Sequence, residues 1–149
     1  MGSKLFVTVV CLILSAYFSA TETAFSSINK IRVKNLSEKG NKRASLVLRL
    51  AENYDTLIST ILIGNNIVNI LSASMATLLF TDLLKDTSFV KAAATVSTVV
   101  MTVVVLIFGE VSPKSIAKKL PEKFAMFSAP FINLLLYIFF PLSFLFLLL

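Results

Sequence analysis

Residues 56–81 read TLISTILIGNNIVNILSASMATLLFT and contain no charged side chain. About twenty apolar residues suffice to cross the hydrocarbon of a bilayer, so this stretch is long enough to span a membrane. It nevertheless carries three asparagines, Asn65, Asn66 and Asn69, whose three- and four-residue spacings would crowd one face of a helix. Amides inside a membrane are costly unless they find partners, and they usually face a bundle interior or a cavity. The stretch therefore predicts a membrane helix whose polar face needs partners.

The rest of the chain shares this apolar character. Its 149 residues are 56% hydrophobic, with a mean hydropathy of +0.87, and the apolar residues form long blocks. This composition is typical of an integral membrane protein, and one domain is the default at this length. The single cysteine, Cys11, lies in an apolar block, where we expect it to be a packing residue. Because the sequence has no histidine, classical zinc or iron sites and His-based catalysis are disfavoured.

A first predicted span covers the uncharged residues 5–21, and it follows Met1-Gly2-Ser3, which resembles a cloning scar. A cleaved signal peptide is the alternative for this run. Ser15, Ser19 and Glu22 have i, i+4, i+7 spacing and would form a second polar stripe. The alternative is that the hydroxyls bond their own backbone and that Glu22 only marks the membrane edge.

A third apolar run covers residues 92–109, extended by 89–90 before it and 111 after it, and ends in FGEVSPK (108–114). Pro113 has no N–H, so in an α-helix the carbonyl of Gly109 would lose its partner, directly beside the carboxylate of Glu110. Free backbone at membrane depth is tolerated where it lines a site or a cavity. The alternative is an ordinary helix end at which Glu110 pairs with Lys114.

One basic patch lies between the first and second runs, and another follows the third run. Each patch contains a single acidic residue, Glu38 in the first and Glu122 in the second. The cations are Lys30, Arg32, Lys34, Lys39, Lys42, Arg43 and Arg49 in the first patch, and Lys114, Lys118, Lys119 and Lys123 in the second. Gly40-Asn41 breaks the first patch into two short pieces. The positive-inside rule places both patches in the cytoplasm and the N-terminus outside. Nucleic-acid binding is the alternative for a net charge of +6, but the basic runs lack interleaved aromatic residues.

Residues 124–149 contain no charge, and by composition alone they favour a fourth span. Pro130 and Pro141 interrupt the run, however, and these features also suit a bent pair of helices lying in the membrane interface.

Four motifs together resemble the transmembrane domain of the CNNM/CorC magnesium transporters. They are FSATETAF (18–25), GNKRA (40–44), ILIGNNIVNI (61–70) and FGEVSPK (108–114). The resemblance covers residues 4–149, and four motifs in the right order make it specific where any single one would be weak.

The resemblance implies an all-α integral membrane homodimer with three transmembrane helices per protomer, at about 4–25, 54–80 and 89–111. Amphipathic juxtamembrane helices at 30–50 and 114–149 would form a belt on the cytoplasmic side. In such families a cytoplasmic CBS pair that binds ATP follows the membrane domain, and that region is absent from these 149 residues. Because this arrangement needs a cytoplasmic C-terminus, the resemblance assigns residues 124–149 to the belt, against hydropathy.

The resemblance also implies a magnesium site between the helices. Its predicted ligands are the hydroxyls of Ser15 and Ser19, the amides of Asn65 and Asn69, the carbonyl of Gly109 and the carboxylate of Glu110. Such oxygen groups are the ligands that a hard cation takes. Whether Glu22 or Asn66 also touches the ion is left open.

We therefore expect a plasma-membrane Mg2+ transporter that works by alternating access in the outward direction, embedded in the lipid bilayer, with no catalytic residues. The transport direction, the coupling ion, such as Na+, and the choice between Mg2+ and other divalent ions do not follow from these residues. The alternative is a non-transporting module that senses Mg2+ and regulates a partner. An intramembrane hydrolase built on Ser19 and Glu22 is disfavoured, because no histidine is present.

Overall fold

The computed structural model describes residues 2–148, apart from the side chain of Phe146, and contains no strand within them. The helical segments in chain order are α1 (Gly2–Ser27), α2 (Lys30–Glu38), α3 (Lys42–Glu52), α4 (Tyr54–Leu84), a 3-10 turn (Val90–Ala92), α5 (Ala93–Val104), a π-helix (Val105–Val111), α6 (Ser112–Lys119) and α7 (Pro121–Leu148).

Within the described residues, four helical segments are long and apolar enough to cross a membrane. They are Gly2–Ser27, Tyr54–Leu84, Val90–Lys119 and Pro121–Leu145. The predicted all-α membrane class is thus confirmed, and the first three segments overlap the predicted spans. The fourth lies in α7, where composition predicted a span and the family resemblance predicted a belt. The arrangement of three spans with a belt therefore stays a prediction.

The long helix α1 is the centre of the fold, because it packs against α4, α6, α7 and the π-helix. Lys4 near its beginning pairs with Asp82 near the end of α4, with 2.5 Å between Nζ and Oδ2. Phe18, farther along α1, packs on Gly64 in the first half of α4. The two helices therefore run antiparallel, so the end of α1 and the beginning of α4 lie at the same end of the bundle.

The third long segment runs parallel to α1. Ser15 of α1 adjoins Gly109 of the π-helix. Seven residues later, Glu22 pairs with Lys114 of α6, with 4.0 Å between Oε2 and Nζ. The direction of the third segment therefore matches that of the first, as two spans with one span between them require.

The first basic patch folds as the two short helices α2 and α3, which pack against each other. The side chains of Asn29 and Asn41 accept hydrogen bonds from the first-turn N–H groups of α2 and α3 and so cap both helices. Gly40 has a φ of +91°, a left-handed conformation that glycine adopts at little cost. The predicted break at Gly40-Asn41 is therefore confirmed. Arg32 of α2 contacts Glu122 of α7, with 3.7 Å between Nη1 and Oε1.

The last helix, α7, packs against α1, α3 and α4. The Tyr17 hydroxyl of α1 donates a hydrogen bond to the carbonyl of Ser128, at 3.0 Å. Farther along α7, the hydroxyl of Ser143 lies 3.0 Å from that of Thr60, in the first two turns of α4. Polar contacts thus tie α7 to two of the long helices.

The two prolines of α7 do not divide it. Pro130 and Pro141 both lie inside one continuous helix and on its exposed side. The expectation of a bent pair of shorter helices is therefore replaced by a single helix. A proline removes one backbone N–H without ending a helix when packing against neighbours holds the chain on either side.

Candidate cation site

Three of the six predicted site residues, Ser15, Asn65 and Gly109, come together where α1, α4 and the π-helix meet. Ser15 is 1% exposed, and its hydroxyl donates a hydrogen bond to Oδ1 of Asn65 at 3.1 Å. A Cβ atom added to Gly109 would lie 3.2 Å from the same Ser15 oxygen, so the π-helix backbone passes directly beside it. The Ser15 hydroxyl of α1 therefore contacts both an amide of α4 and the backbone of the π-helix.

A close approach of α1 and α4 holds this contact in place. A Cβ atom added to Gly64 would lie 2.7 Å from Cζ of Phe18, closer than real Cβ atoms approach other atoms. The ring of Phe18 is 4% exposed, so it fills the space that any larger residue at position 64 would take. Small residues let membrane helices approach closely, and here the approach places the neighbouring Asn65 against Ser15.

The π-helix supplies the third wall of the site. It covers Val105–Val111 and so contains both Gly109 and Glu110. Its hydrogen bonds reach five residues back instead of four, as in the bond from the Ser112 N–H to the Ile107 carbonyl. Short π segments inside α-helices are frequent at functional sites.

This wider register changes which carbonyl Pro113 affects. In an α-helix the missing N–H of Pro113 would have served Gly109, but at π spacing residue 113 corresponds to Phe108. If the register of the Ser112–Ile107 bond continued by one residue, the carbonyl without a partner would be that of Phe108, which lies in the predicted segment. The role of the Gly109 carbonyl as a ligand stays a prediction.

Three buried oxygen atoms have no hydrogen-bond partner within the described residues. They are the hydroxyl oxygens of Ser19 and Ser72 and the amide oxygen of Asn69. Ser19 and Ser72 are each 1% exposed. A buried polar atom without a partner is costly, so such atoms in a folded protein call for a ligand, an ion or a water molecule.

Ser72 did not figure among the residues predicted from the sequence. It follows Asn65 and Asn69 at i, i+4, i+7 spacing and continues their stripe along α4. That spacing was a usable signal, but serine is common in membrane helices, where its hydroxyl usually bonds the backbone of the preceding turn. The structure singles Ser72 out because its hydroxyl oxygen is buried and lacks such a bond.

The predicted site residues form a column along the bundle, and its members are Ser15, Ser19, Asn65, Asn69 and Gly109. Ser19 lies one turn after Ser15 on α1, and Asn69 lies one turn after Asn65 on α4. Because α1 and α4 are antiparallel, Ser19 lies about 6 Å from the Ser15–Asn65 contact toward one end of the bundle. Asn69 lies about 6 Å from the same contact toward the other end. The predicted set therefore extends along the axis, with Ser15 in contact with both Asn65 and Gly109 and with Ser19 and Asn69 on either side.

The two acidic residues near the column differ in their partners. Glu22, whose role was left open, pairs with Lys114, with 4.0 Å between the charged atoms. The alternative assigned to Glu110, an ion pair with that same lysine, is not what the structure has. Glu110 is partly buried and takes part in none of the ion pairs between the described residues. The role of its carboxylate as a ligand stays a prediction.

The three asparagines Asn65, Asn66 and Asn69, which were expected on one face of α4, do not all face the same way. Asn65 and Asn69 are partly buried, whereas Asn66 is exposed on the outer surface of α4. A residue one position along a helix is rotated by about 100°, so Asn66 cannot share the inward side with Asn65. Of the two candidates left open beside Asn69, Asn65 is therefore the one that faces the column.

A cleft continues from Asn69 between α4 and α5 and has a mixed lining of hydroxyl-bearing and apolar residues. Its volume is about 310 Å³, and its lining includes the hydroxyls of Thr77, Ser97, Thr98 and Thr102. Ser97 is 1% exposed and accepts a long hydrogen bond of 3.5 Å from Thr77. The cleft leads from the column toward the end of α4, which is the end opposite to the basic helices.

The column carries neutral oxygen atoms, and the carboxylate nearest to it in the sequence is that of Glu110, the residue after Gly109. No group of three or more His, Cys, Asp or Glu side chains lies together within the described part of the chain. Softer transition metals favour nitrogen and sulfur ligands, whereas Mg2+ and Ca2+ take oxygen ligands. The residues present thus suit a hard cation.

Comparison with known proteins agrees with this picture of a helical membrane protein. The sequence profile of the cyclin M transmembrane N-terminal domain matches residues 6–149. A UPF0053 protein of Haemophilus influenzae is 44% identical over 142 residues, which are 95% of this chain and 33% of that protein. The UPF0053 inner membrane protein YfjD of Escherichia coli is 43% identical over 112 residues, 75% of this chain and 25% of that protein.

A further relative bears a functional name. The polyamine export protein of H. influenzae is 30% identical over 145 residues, 91% of this chain and 34% of that protein. The chain thus spans a third or less of the length of the first two relatives and about a third of this one.

Proposed function

Because the chain belongs to the family of the cyclin M (CNNM) transmembrane domain, we propose that it is the membrane part of a transporter that carries Mg2+ outward across the plasma membrane. The ion would pass along the column of Ser15, Ser19, Asn65, Asn69 and Gly109, with Glu110 as the carboxylate and Ser72 as an added acceptor. That the chain is a multi-pass helical membrane protein follows from its family and its candidate spans.

The observation that carries this proposal is the set of buried oxygen atoms without a partner, those of Ser19, Asn69 and Ser72. They lie on either side of the Ser15–Asn65 hydrogen bond, beside the π-helix. A hard cation would satisfy such acceptors and thereby offset the cost of burying them.

Glu110 supplies the charge in this proposal. A site of several neutral oxygen ligands and one carboxylate can replace part of the hydration shell of Mg2+, which dehydrates reluctantly, without binding the ion too tightly for release. A single carboxylate also commits the site less strongly to divalent charge than two would. Binding of Na+, the possible coupling ion, and of other divalent cations should therefore be compared with binding of Mg2+.

The cleft beyond Asn69 supports a path in this proposal. Its lining includes four hydroxyl-bearing residues, and it leads from Asn69 toward the end of α4 away from the basic patches. If the basic helices are cytoplasmic, as the positive-inside rule requires, the cleft opens toward the outside. An outward path for a partly hydrated ion would use it.

The polyamine export protein names a second cargo to test. A linear polyamine carries several separate positive charges, and each would favour a carboxylate or an aromatic face. Of the two acidic residues near the column, only Glu110 is without an ion pair among the described residues. We therefore propose the compact ion and treat spermidine as the competitor in the experiment below.

We propose in addition that α7 belongs to a cytoplasmic belt, which leaves three transmembrane helices. Its beginning contacts Arg32 of the juxtamembrane helix α2 through Glu122, and its later part contacts Thr60 through Ser143. Thr60 lies only six residues from the beginning of α4, about 9 Å along the axis. The two α7 contacts are 21 residues, or about 32 Å, apart. Both contacts lie near one end of the bundle, which favours a helix that crosses below the bundle over one that runs along it.

The belt agrees with an N-terminus outside and a C-terminus in the cytoplasm. A cytoplasmic CBS pair that binds ATP would then lie in the additional length of the relatives. The exposed amide of Asn66 in the middle of α4 supports the homodimer, because an uncovered amide facing lipid is costly.

Binding of Mg2+ to the purified 149-residue chain in detergent tests the site. We expect Glu110→Ala to abolish binding measured by calorimetry and Asn69→Ala to weaken it, because the first removes the charge and the second a neutral acceptor. Glu52→Ala is the matched control, since Glu52 is an exposed glutamate of α3 outside the column and should leave the affinity unchanged. Unchanged affinity in Glu110→Ala would refute the site, and tighter binding of spermidine than of Mg2+ would refute the cargo.

Flux then separates the transporter from the alternative, a Mg2+-sensing module that regulates a partner. Both would bind the ion at the same residues. Reconstituted in protein-only liposomes, a transporter moves Mg2+ across the bilayer, and Glu110→Ala should stop that movement. Binding without flux would favour the sensing module.

A further inference from the structure

A groove lies where the end of α3 and the beginning of α4 face α7. Its volume is about 380 Å³, within the range of small-molecule sites. The side chains that matter here are Arg49, Asn53, Asn133, Leu136, Tyr137 and Phe140. The groove is separate from the column and from the cleft beyond Asn69, with which it shares no lining residue.

Arg49 brings an unneutralised charge to this groove. The ion pairs between described residues join Lys4 to Asp82, Arg32 to Glu122 and Lys114 to Glu22, and none of them uses Arg49. A guanidinium group presents a planar fork of donors that matches a phosphate group in a bidentate manner. The groove thus holds a free donor of the type that binds phosphate.

Amide and phenol groups surround that charge. Asn53 precedes α4 at the position of a helix cap, but its side chain makes no capping hydrogen bond and is free to bind elsewhere. Asn133 and Tyr137 line the opposite wall from α7. Amide NH2 and phenol OH groups donate hydrogen bonds, so both walls offer donors to an anion.

The groove lies at the membrane boundary. Arg49 precedes Thr56, the beginning of the uncharged stretch of α4, by seven residues. On the α7 side, Leu136 and Phe140 line the groove, and Phe140 is 58% exposed. Donors for an anion and an exposed apolar surface are therefore adjacent, as the two parts of a phospholipid require.

We propose that this groove binds one anionic phospholipid. The phosphate is held by Arg49 with help from Asn53 and Asn133, and an acyl chain lies along Leu136 and Phe140. Because the groove is formed by α3, α4 and α7 together, a lipid bound there stabilises the docking of α7 on the bundle. The proposal does not depend on the cargo of the column.

Unfolding of the 149-residue chain in neutral detergent, with added lipid, tests this proposal. Cys11 is 3% exposed, so a thiol-reactive fluorophore reports the temperature at which the fold opens. We expect phosphatidylglycerol to raise that temperature at lower concentration than phosphatidylcholine with the same acyl chains. Native mass spectrometry should show one phosphatidylglycerol molecule retained per chain.

The variants distinguish the groove from general surface charge. We expect Arg49→Gln to weaken the effect of phosphatidylglycerol about tenfold, as for the loss of one charge-assisted hydrogen bond, and Arg49→Lys to retain part of it. Arg43→Gln is the matched control, because Arg43 is an exposed arginine of the same helix that does not line the groove. Equal losses in Arg43→Gln and Arg49→Gln would overturn the proposal in favour of diffuse attraction.

Two further outcomes would also overturn it. If phosphatidylcholine stabilises the chain as well as phosphatidylglycerol does, the groove recognises no net charge. If glycerol phosphate or inorganic phosphate alone has the same effect at equal concentration, the occupant is a soluble anion and not a lipid.

Discussion

Gly64 and Gly109 lack a Cβ atom, and at both positions this absence allows a close contact with α1. Both face α1, and at both a methyl group would meet a side chain of that helix, Phe18 at one and Ser15 at the other. The first contact sets the distance between α1 and α4, and the second leaves room for the backbone of the π-helix beside the Ser15 hydroxyl. The presence of a glycine alone does not reveal such a role. A Cβ atom added at Gly2 or Gly40 would have no atom within 4 Å.

The effect of Gly64 is testable by overpacking. We expect Gly64→Val to lower the unfolding temperature, at a cost of about 1–3 kcal/mol, because the new side chain must displace the buried Phe18 ring. Thiol-reactive dye at the buried Cys11 measures the transition.

A double-mutant cycle provides the control for this prediction. In a Phe18→Leu background the smaller side chain leaves space, so the added cost of Gly64→Val should shrink. An equal cost in both backgrounds would show that the clash with Phe18 is not the reason.

At the scale of elements, the π-helix Val105–Val111 is the feature that most directly serves the proposed site. It begins without a break after α5 and passes into α6 at Ser112. A π-helix gives up regular α-type hydrogen bonding, and Pro113 at the start of α6 has no N–H with which to restore an α-type bond to the Gly109 carbonyl. The element is thus held in an irregular geometry by its own sequence.

Replacing this proline should separate stability from binding. We expect Pro113→Ala to keep or raise the unfolding temperature, because it restores a backbone N–H, and to weaken Mg2+ binding about tenfold, because it favours the narrower α spacing around Gly109 and Glu110. Calorimetry and thermal unfolding on the same samples measure both quantities.

Pro130→Ala is the matched control, since Pro130 lies inside α7 on its exposed side. That substitution should leave Mg2+ affinity unchanged. If Pro113→Ala also leaves the affinity unchanged, the π-helix does not shape the site.

At the scale of the whole molecule, the question is whether α7 crosses the bilayer. Its length and composition permit a span, whereas its contacts near Arg32 and Thr60 favour a position across one end of the bundle. The two arrangements place the end of α7 on opposite sides of the membrane.

Single cysteines in a Cys11→Ala background decide between them. We expect Lys39→Cys and Leu148→Cys to react with a membrane-impermeant thiol reagent from the cytoplasmic side only, and Thr87→Cys from the outside only. Labelling in intact cells and in inverted vesicles gives the comparison. If Leu148→Cys reacts together with Thr87→Cys, α7 is a fourth span and the belt is wrong.

Much of the architecture was accessible from the chain itself because it depends on local composition. Uncharged runs of sufficient length predicted the long helices, and Gly40-Asn41 predicted the break between the two basic helices. The oxygen-bearing stripes at Ser15/Ser19 and Asn65/Asn69 followed from helical spacing alone. Local rules of this kind need no knowledge of neighbours.

Other features required the tertiary structure, because they depend on how each helix is rotated and in which register it packs. The inward side of α4 carries Asn65 and not Asn66, and Lys114 pairs with Glu22 and not Glu110. Ser72 counts as a candidate only because packing leaves its oxygen buried without a partner. Spacing along one helix states which side chains share a face, but only contact with a second helix selects the face that turns inward.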